Sequence, residues 1–252
     1  MSLALKLALS PLLIAQALRT RARVPRLPEA DGARIGRAPI TAAHRLLVIG
    51  DSSAAGVGVA TQDDALIGQL LRALHARDHP AWHWRLLARS GVTSQQAIGL
   101  IDDDLVGEGA DLAIIVTGVN DVVDQVPSQH AVRARERIVN LLRNRVGVQH
   151  VVICPLPPIH QFPALPQPLR WMAGADARRH NRALREWVRV RAASIGDVSM
   201  ARLDHVRLTR ESMASDGFHP GEPVYRAVAL ALADHIVDAV VPRLHAARRI
   251  DP

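Results

Sequence analysis

Short, uninterrupted apolar runs that alternate with helix-like segments are the feature of this sequence that most restricts its fold. Residues 45–50 and 111–117 are the clearest of these runs, and a glycine ends or follows each one. Such a run is typical of a strand that is buried on both faces, as in a parallel sheet. Because parallel strands need crossover connections, the alternation predicts an α/β protein whose sheet is covered by helices on both faces.

Five strands and five helices are predicted along the chain. The strands are residues 45–50, 82–88, 111–117, 150–154 and 198–203, and the helices are residues 62–76, 94–105, 129–145, 176–193 and 223–244. In folds of this kind the functional site lies outside the carboxyl ends of the strands. The residues that follow each strand are therefore the ones to examine for chemistry.

The N-terminal 40 residues differ in pattern from the rest and are predicted to form an apolar helix and an irregular basic connection, followed by one domain over residues 41–252. Residues 3–18 are mostly apolar but fall short of the roughly 20 residues that span a bilayer. Residues 23–39 are broken by proline and glycine, which predicts an irregular segment.

Three interpretations of the first 26 residues stay open. The first is a signal peptide with Lys6 as its basic part, and the second is an interfacial helix that contacts anionic lipid. The third is a helix that docks on the domain. Arg19, Arg21, Arg23 and Arg26 follow the apolar stretch and resist transfer across a membrane. We therefore expect a cytoplasmic protein, or one held at the cytoplasmic membrane by peripheral contact through residues 3–26, with export as the alternative.

The charge and the cysteine count restrict the partners. The formal net charge is +7, but the arginines are scattered among acidic residues, which is typical of solvated helix faces. We predict no nucleic-acid partner. Cys154 is the single cysteine, so no internal disulfide can form, and its place at the end of an apolar run predicts a buried strand residue.

Polar residues follow three of the predicted strands and recur near the C-terminus. Ser52 follows the first strand, Gly91 the second and Asn120 the third, while Asp216 and His219 stand three residues apart further on. Each feature has an ordinary structural interpretation, such as a turn or a helix cap. Together they supply a nucleophile, a base with its carboxylate, and oxyanion donors.

The order and spacing of these residues resemble the SGNH hydrolase superfamily, also called GDSL esterases and lipases. The four sequence blocks of that family are matched by Gly50-Asp51-Ser52, Gly91, Gly118-x-Asn120-Asp121 and Asp216-x-x-His219. The resemblance covers roughly residues 45 to 240. It implies a three-layer α/β/α, flavodoxin-like fold with a parallel sheet of about five strands.

The resemblance also implies a role for each matched residue. Ser52 is the expected nucleophile, His219 the base and Asp216 the residue that orients His219. The Ser52 N–H, the Gly91 N–H and the Asn120 side chain are the expected oxyanion hole. No cofactor and no metal are expected. Ser53 stands where the GDSL motif has leucine, a position that carries no chemistry.

A long proline-rich loop is predicted over residues 155–171, after the fourth strand. It starts at the active-site end of the sheet and is rich in apolar residues, which predicts a wall of the substrate pocket. Phe162 and Trp171 are its candidate substrate-binding residues. His160 lies in the same loop and is interpreted as an ordinary loop histidine, because no metal-ligating partner stands at a suitable spacing.

The expected function is hydrolysis of carboxylic esters, either acyl esters or lysophospholipid-like substrates, through a Ser52 acyl-enzyme. The partner is therefore a small-molecule or lipid ester. A thioesterase or a carbohydrate deacetylase on the same residues is the first alternative. A non-catalytic basic protein of the membrane surface is the second.

Overall fold

A six-stranded, mostly parallel sheet forms the centre of the molecule. The computed structural model describes residues 3–38, 44–77, 82–101, 105 and 109–248. The strands are β1 (Ile35–Gly36), β2 (His44–Gly50), β3 (Trp82–Ala88), β4 (Leu112–Val116), β5 (His150–Ile153) and β6 (Val198–Met200). Their order across the sheet is β1-β3-β2-β4-β5-β6, with β1 antiparallel to β3 and the other neighbours parallel.

Eight helices surround the sheet in the described part of the chain. They are α1 (Leu3–Arg23), α2 (Leu66–His75), α3 (Ser94–Ala97), α4 (Val119–Val123), α5 (Ser128–Leu141), α6 (Leu169–Ser194), α7 (Glu222–His235) and α8 (Val241–Arg248). Short 3-10 turns occupy Ile98–Leu100 and Ile159–Gln161, and π-helical turns extend α5 over Leu142–Val146 and α7 over Ile236–Val240. The predicted α/β class and three-layer arrangement are confirmed.

Alternating side chains of the central strands pack into two separate hydrophobic cores, one on each face of the sheet. Leu46 and Val48 of β2 pack on one face of the sheet with helices α2 and α7. Leu47 and Ile49 point to the other face and pack with α5 and α6. All four side chains are buried, which explains why this strand is an unbroken apolar run in the sequence.

The sheet has six strands where about five were predicted. The additional strand is β1, which pairs Ile35 with Arg85 and Gly36 with Trp84 at the sheet edge. It lies inside the segment predicted to be irregular, because two residues are too few to show a strand pattern. The predicted boundary after residue 40 lies outside the described residues.

Helix α6 starts earlier than its sequence pattern indicates. It begins at Leu169 rather than at Asp176, so the loop after β5 ends at Pro168. The N-cap residue is Pro168, which has no side-chain acceptor, so the usual N-terminal signal is missing from the sequence. The helix predicted over residues 94–105 is helical over residues 94–100, while residues 102–104 lie outside the described part.

Helix α1 lies against the start of α6. The Gln16 side chain donates to the Gln167 carbonyl at 2.8 Å and accepts the Leu169 N–H at 3.2 Å. Leu12, Ile14 and Leu18 on other faces of α1 are exposed. Within the described residues, no helix is both long enough and apolar enough to cross a bilayer.

Candidate active site

Ser52 stands on the first turn after β2, at the carboxyl edge of the sheet. The carbonyl of Asp51 accepts the N–H groups of Ala54 and Ala55, which folds the chain sharply back after the strand. The Asp51 N–H continues the sheet ladder by donating to the Val116 carbonyl at 3.0 Å. The half-buried Ser52 side chain is therefore fixed at the strand end while remaining accessible.

His219 connects Ser52 to Asp216 through both nitrogens of its ring. Its Nε2 lies 3.1 Å from the Ser52 hydroxyl, and its Nδ1 lies 2.6 Å from the Asp216 carboxylate. The two ends of this chain of hydrogen bonds are more than 160 residues apart in sequence. An imidazole held in this way has Nδ1–H directed at the carboxylate and Nε2 free to accept a proton from the hydroxyl.

The Asp216 carboxylate is kept ionised by its surroundings. Burial alone would raise its pKa, but the hydrogen bond with the His219 ring and those from two backbone N–H groups outweigh burial and lower the pKa. Those N–H groups belong to Phe218 and His219, each 2.9 Å from the carboxylate. An ionised carboxylate stabilises a protonated imidazole beside it.

Gly91 occupies the turn after β3 with φ at +81°, in the left-handed region that favours glycine. A side chain at this position would meet no other atom within 4 Å, so the turn borders open space. Among the described residues, neither the Gly91 N–H nor the Ser52 N–H donates to a protein acceptor. Both donors remain available for a bound group.

Asn120 lies in the first turn of α4, after a turn that only glycine can form. Gly118 has φ at +137°, and a Cβ there would collide with the side chains of Arg135 and Leu156. One N–H of the Asn120 amide donates to the Val92 carbonyl at 3.0 Å. That bond fixes the orientation of the amide and leaves its second N–H for another acceptor.

A buried ion pair lies behind this turn, and the sequence analysis missed it. Arg135 of α5 has 1% of its side chain exposed and donates to Asp121 at 3.1 Å and to the Thr117 carbonyl at 2.9 Å. Asp121 also accepts the N–H and the hydroxyl of Ser94. The sequence signal is an arginine on the apolar face of a helix, between Ala131 and Ile138.

Asp51, next to Ser52, is a buried carboxyl with an altered acidity. Burial raises its pKa to about 6, against the lowering effects of the Ser53 N–H and of the nearby His219 and Arg135 charges. The Ser53 N–H donates to the carboxylate at 3.0 Å. The acid therefore changes charge near neutral pH, within the turn that carries Ser52.

A cavity of about 630 Å³ opens at Ser52 and His219. The loop between β5 and α6 forms one wall, as predicted from its apolar content. Leu156 in this loop is held to α6 by both atoms of the Asn181 amide, at 2.8 and 2.9 Å. The Ala164 N–H donates to the Gly217 carbonyl at 3.0 Å, which ties the loop to the turn that carries Asp216.

The two aromatic residues proposed to bind substrate occupy different places. Phe162 is 3% exposed, lines the cavity and packs edge-on against Phe218, which in turn packs against His219. Trp171 is 43% exposed and lies in the first turn of α6, and it does not line the cavity. The structure brings only Phe162 to the site.

Two further residues fall where the sequence indicated. Cys154 is buried at the end of β5, and burial raises the pKa of its thiol. His160 is exposed on the loop and lines the cavity. No group of three or more potential metal ligands occurs among the described residues.

Comparison with known proteins identifies the family of the chain. The model of the GDSL-like Lipase/Acylhydrolase family matches residues 48–227. A GDSL-like esterase of Mycobacterium tuberculosis is 30% identical over 249 residues, which cover 92% of this chain and 78% of the relative.

Solved structures show the same fold. A lipase from a goat rumen metagenome superposes with a TM-score of 0.61 at 18% identity, covering 75% of this chain and 95% of the other. A family 3 carbohydrate esterase of Clostridium thermocellum superposes with a TM-score of 0.63 at 17% identity, covering 81% and 98%.

The fold and these similarities define a carboxylic ester hydrolase built on a three-layer α/β/α sandwich. The chain belongs to the GDSL-like Lipase/Acylhydrolase family, within the SGNH superfamily.

Proposed function

We propose that the protein hydrolyses acyl esters through a covalent intermediate on Ser52. The observation that carries this proposal is the continuous chain of hydrogen bonds from Ser52 through His219 to Asp216, with distances of 3.1 and 2.6 Å. His219 Nε2 removes the hydroxyl proton as Ser52 Oγ attacks the ester carbonyl. Asp216 stabilises the resulting imidazolium.

The negative charge that develops on the carbonyl oxygen needs donors that are already in place. The N–H groups of Ser52 and Gly91 and the second amide N–H of Asn120 serve this purpose. His219 then gives its proton to the leaving alcohol. Water repeats the cycle on the acyl-enzyme and releases a carboxylic acid, so the net reaction consumes one ester and one water.

The walls of the cavity favour an acyl substrate over an acetylated carbohydrate. Thioesters and acetylated carbohydrates present the same carbonyl to the same groups. The cavity, however, is lined largely by apolar side chains, including Leu156, Phe162, Val206 and Leu208. Such a lining suits a hydrocarbon chain better than the hydroxyl groups of a sugar.

The test combines covalent labelling with turnover. A fluorophosphonate should label the wild-type chain at Ser52, and Ser52→Ala should lose both labelling and nearly all hydrolysis, on the order of 10⁴-fold or more. Ser53→Ala is the matched control, because this neighbouring serine has no bond to His219. Full activity in Ser52→Ala, or labelling elsewhere, would refute the proposal.

We also propose that α1 makes peripheral contact with the membrane. Its exposed Leu12, Ile14 and Leu18 stand beside a set of four arginines, the combination expected of an interfacial helix. The arginines are Arg19, Arg21, Arg23 and Arg26. Binding to phosphatidylglycerol vesicles but not to phosphatidylcholine vesicles, lost in Leu12→Gln/Leu18→Gln, is expected. N-terminal sequencing of the native protein separates this arrangement from export with cleavage.

A further inference from the structure

Four arginines line the cavity that opens at Ser52. Arg178 and Arg185 come from α6, and Arg202 and Arg207 come from the segment that follows β6. All four side chains are exposed. Among the described residues, none of the four guanidinium groups takes part in a hydrogen bond or an ion pair. Four guanidinium groups from two elements are thus available to a ligand in one cavity.

The arginine content of the chain does not by itself explain this set. Three other arginines of α6 are neutralised within the protein: Arg179 by Asp176, Arg189 by Glu186 and Arg191 by Asp197. Arg178 and Arg185 are seven residues apart, which places them two turns apart on one face of the helix. Asn181, between them on that face, holds the cavity wall through Leu156.

The charge around the cavity is strongly unbalanced. Asp204 is the single carboxylate among the described residues that line it, so the arginine charges exceed the acidic charge by three. The remaining wall is largely apolar, and apolar walls strengthen the field of charges at the mouth of a cleft. An apolar chain beside a cationic rim is complementary to an amphiphile with an anionic group.

We propose that the preferred substrate is an ester that bears an anionic group, a carboxylate, phosphate or sulfate, bound by the arginine rim formed by Arg178, Arg185, Arg202 and Arg207. This inference rests on the proposed esterase function, because it assigns the substrate class of the same site. The anionic group belongs either to the acyl chain or to the alcohol. The shared chemistry is a negative charge recognised by guanidinium.

The first experiment compares pairs of esters that differ in charge. The acyl arm uses mono-p-nitrophenyl adipate against p-nitrophenyl hexanoate, and the alcohol arm uses 4-acetoxybenzoate against its methyl ester. In one arm, kcat/KM for the anionic ester should exceed that for the neutral one by about 5- to 20-fold, since exposed ion pairs are individually weak. The preference should shrink as sodium chloride is raised. The arm that shows it identifies the end of the substrate that carries the charge.

The second experiment assigns the preference to the arginine rim. Arg202→Gln/Arg207→Gln and Arg178→Gln/Arg185→Gln should each lower the ratio of anionic to neutral kcat/KM by about 2- to 4-fold, so that the two losses together account for the wild-type preference. Arg182→Gln/Arg210→Gln is the matched control, because it removes the same charge from exposed arginines that do not line the cavity. The control should retain the wild-type ratio.

The outcomes separate this inference from the function on which it rests. Hydrolysis of the neutral esters that depends on Ser52, with no anionic preference in either arm, would overturn the anionic substrate alone. An equal fall of the ratio in the rim and control variants would also overturn it, since net charge would then be the cause. Neutral hydrolysis that survives in Ser52→Ala would instead refute the proposed function.

Discussion

The Glu29 carboxylate accepts the Ser90 backbone N–H at 2.6 Å, one residue before Gly91. Glu29 also forms an ion pair with Arg34, which donates to the Ala88 carbonyl at 2.7 Å. Burial would raise the pKa of Glu29, but the bonds to Ser90 and Arg34 outweigh it and lower the pKa. Two residues of the N-terminal connection therefore hold the chain between the end of β3 and Gly91.

Glu29→Ala should lower kcat with little change in KM. Removing the carboxylate releases the Ser90 N–H, so the Gly91 N–H is held less firmly toward the carbonyl oxygen of the substrate. A catalytic group that is misplaced by up to about 1 Å costs roughly 10- to 100-fold in rate. Steady-state kinetics on p-nitrophenyl esters, at a temperature well below the unfolding midpoint of each variant, provides the measurement.

Two further variants separate positioning from general stability. Glu29→Gln keeps an acceptor for the Ser90 N–H and should recover much of kcat. Glu186→Ala removes an exposed glutamate that pairs with Arg189 and should leave kcat unchanged. If Glu29→Gln were as slow as Glu29→Ala, or if KM alone rose, Glu29 would not position the oxyanion donor.

Asn120→Ala should reduce kcat by roughly 10²- to 10³-fold, the usual loss for one side-chain oxyanion donor. The expected reason is the loss of the amide N–H that the Val92 carbonyl leaves unused. Burst kinetics on an activated ester would show slower acylation with unchanged substrate binding. A change confined to KM would make Asn120 a substrate-binding residue instead.

Asp51→Asn should change how stability depends on pH. A carboxyl with a pKa of about 6 in the folded state, against about 4 when unfolded, favours folding while it is protonated. Its contribution is lost as pH rises from about 4 to 6. Asparagine carries no charge, so the variant should gain roughly 2–3 kcal/mol relative to wild type between pH 4 and pH 7.

Urea unfolding of both proteins at several pH values in this window measures that gain. Carboxyls with lowered pKa values, such as Asp216 and Asp197, are common to both proteins, so their effects cancel in the difference. A difference that stays constant with pH would show that burial does not raise the pKa of Asp51 above its value in the unfolded chain.

Replacing Phe162 should move the preferred acyl chain length, whereas replacing Trp171 should not. Phe162→Leu shortens a buried wall of the cavity, so longer p-nitrophenyl esters should gain relative to shorter ones. Trp171→Leu alters an exposed side chain outside the cavity and is the matched control. An equal shift in both variants, or none in Phe162→Leu, would remove Phe162 from the substrate wall.

Prediction from sequence was most successful for strands whose successive residues are mostly apolar. The strands at Trp82–Ala88 and Leu112–Val116 were found within one residue of their ends. Leu112–Val116 is an uninterrupted apolar run, and Trp82–Ala88 is a mainly apolar run interrupted by His83 and Arg85. Prediction was weakest where an element is fixed by a contact with a distant residue and not by a motif in its own sequence. The Leu169 N–H at the start of α6 is accepted by the side chain of Gln16, which is distant in sequence, and β1 is formed by pairing with β3 rather than by its own two residues.

The same division holds for the site. Ser52, Gly91, Asn120, Asp216 and His219 were selected from short motifs, because each occupies a strand end or turn whose chemistry is local. Glu29, Arg135 and the arginine rim were not selected. Arg135 stands out locally only as a charge on the apolar face of a helix, and its partner Asp121 lies in another element. The roles of Glu29 and of the arginine rim depend on Ser90 and on a cavity wall assembled from separate elements, neither of which leaves a pattern in one stretch of sequence.

The sequence by itself determined the class of fold, the family and the residues proposed for catalysis, because apolar periodicity and turn chemistry act over a few neighbouring residues. Only the tertiary structure decided which groups meet. It brought His219 within 3.1 Å of Ser52, placed Phe162 but not Trp171 at the cavity, and gathered four arginines at its rim. These contacts join residues far apart in the chain, and packing of the helices on the sheet fixes the distances between them.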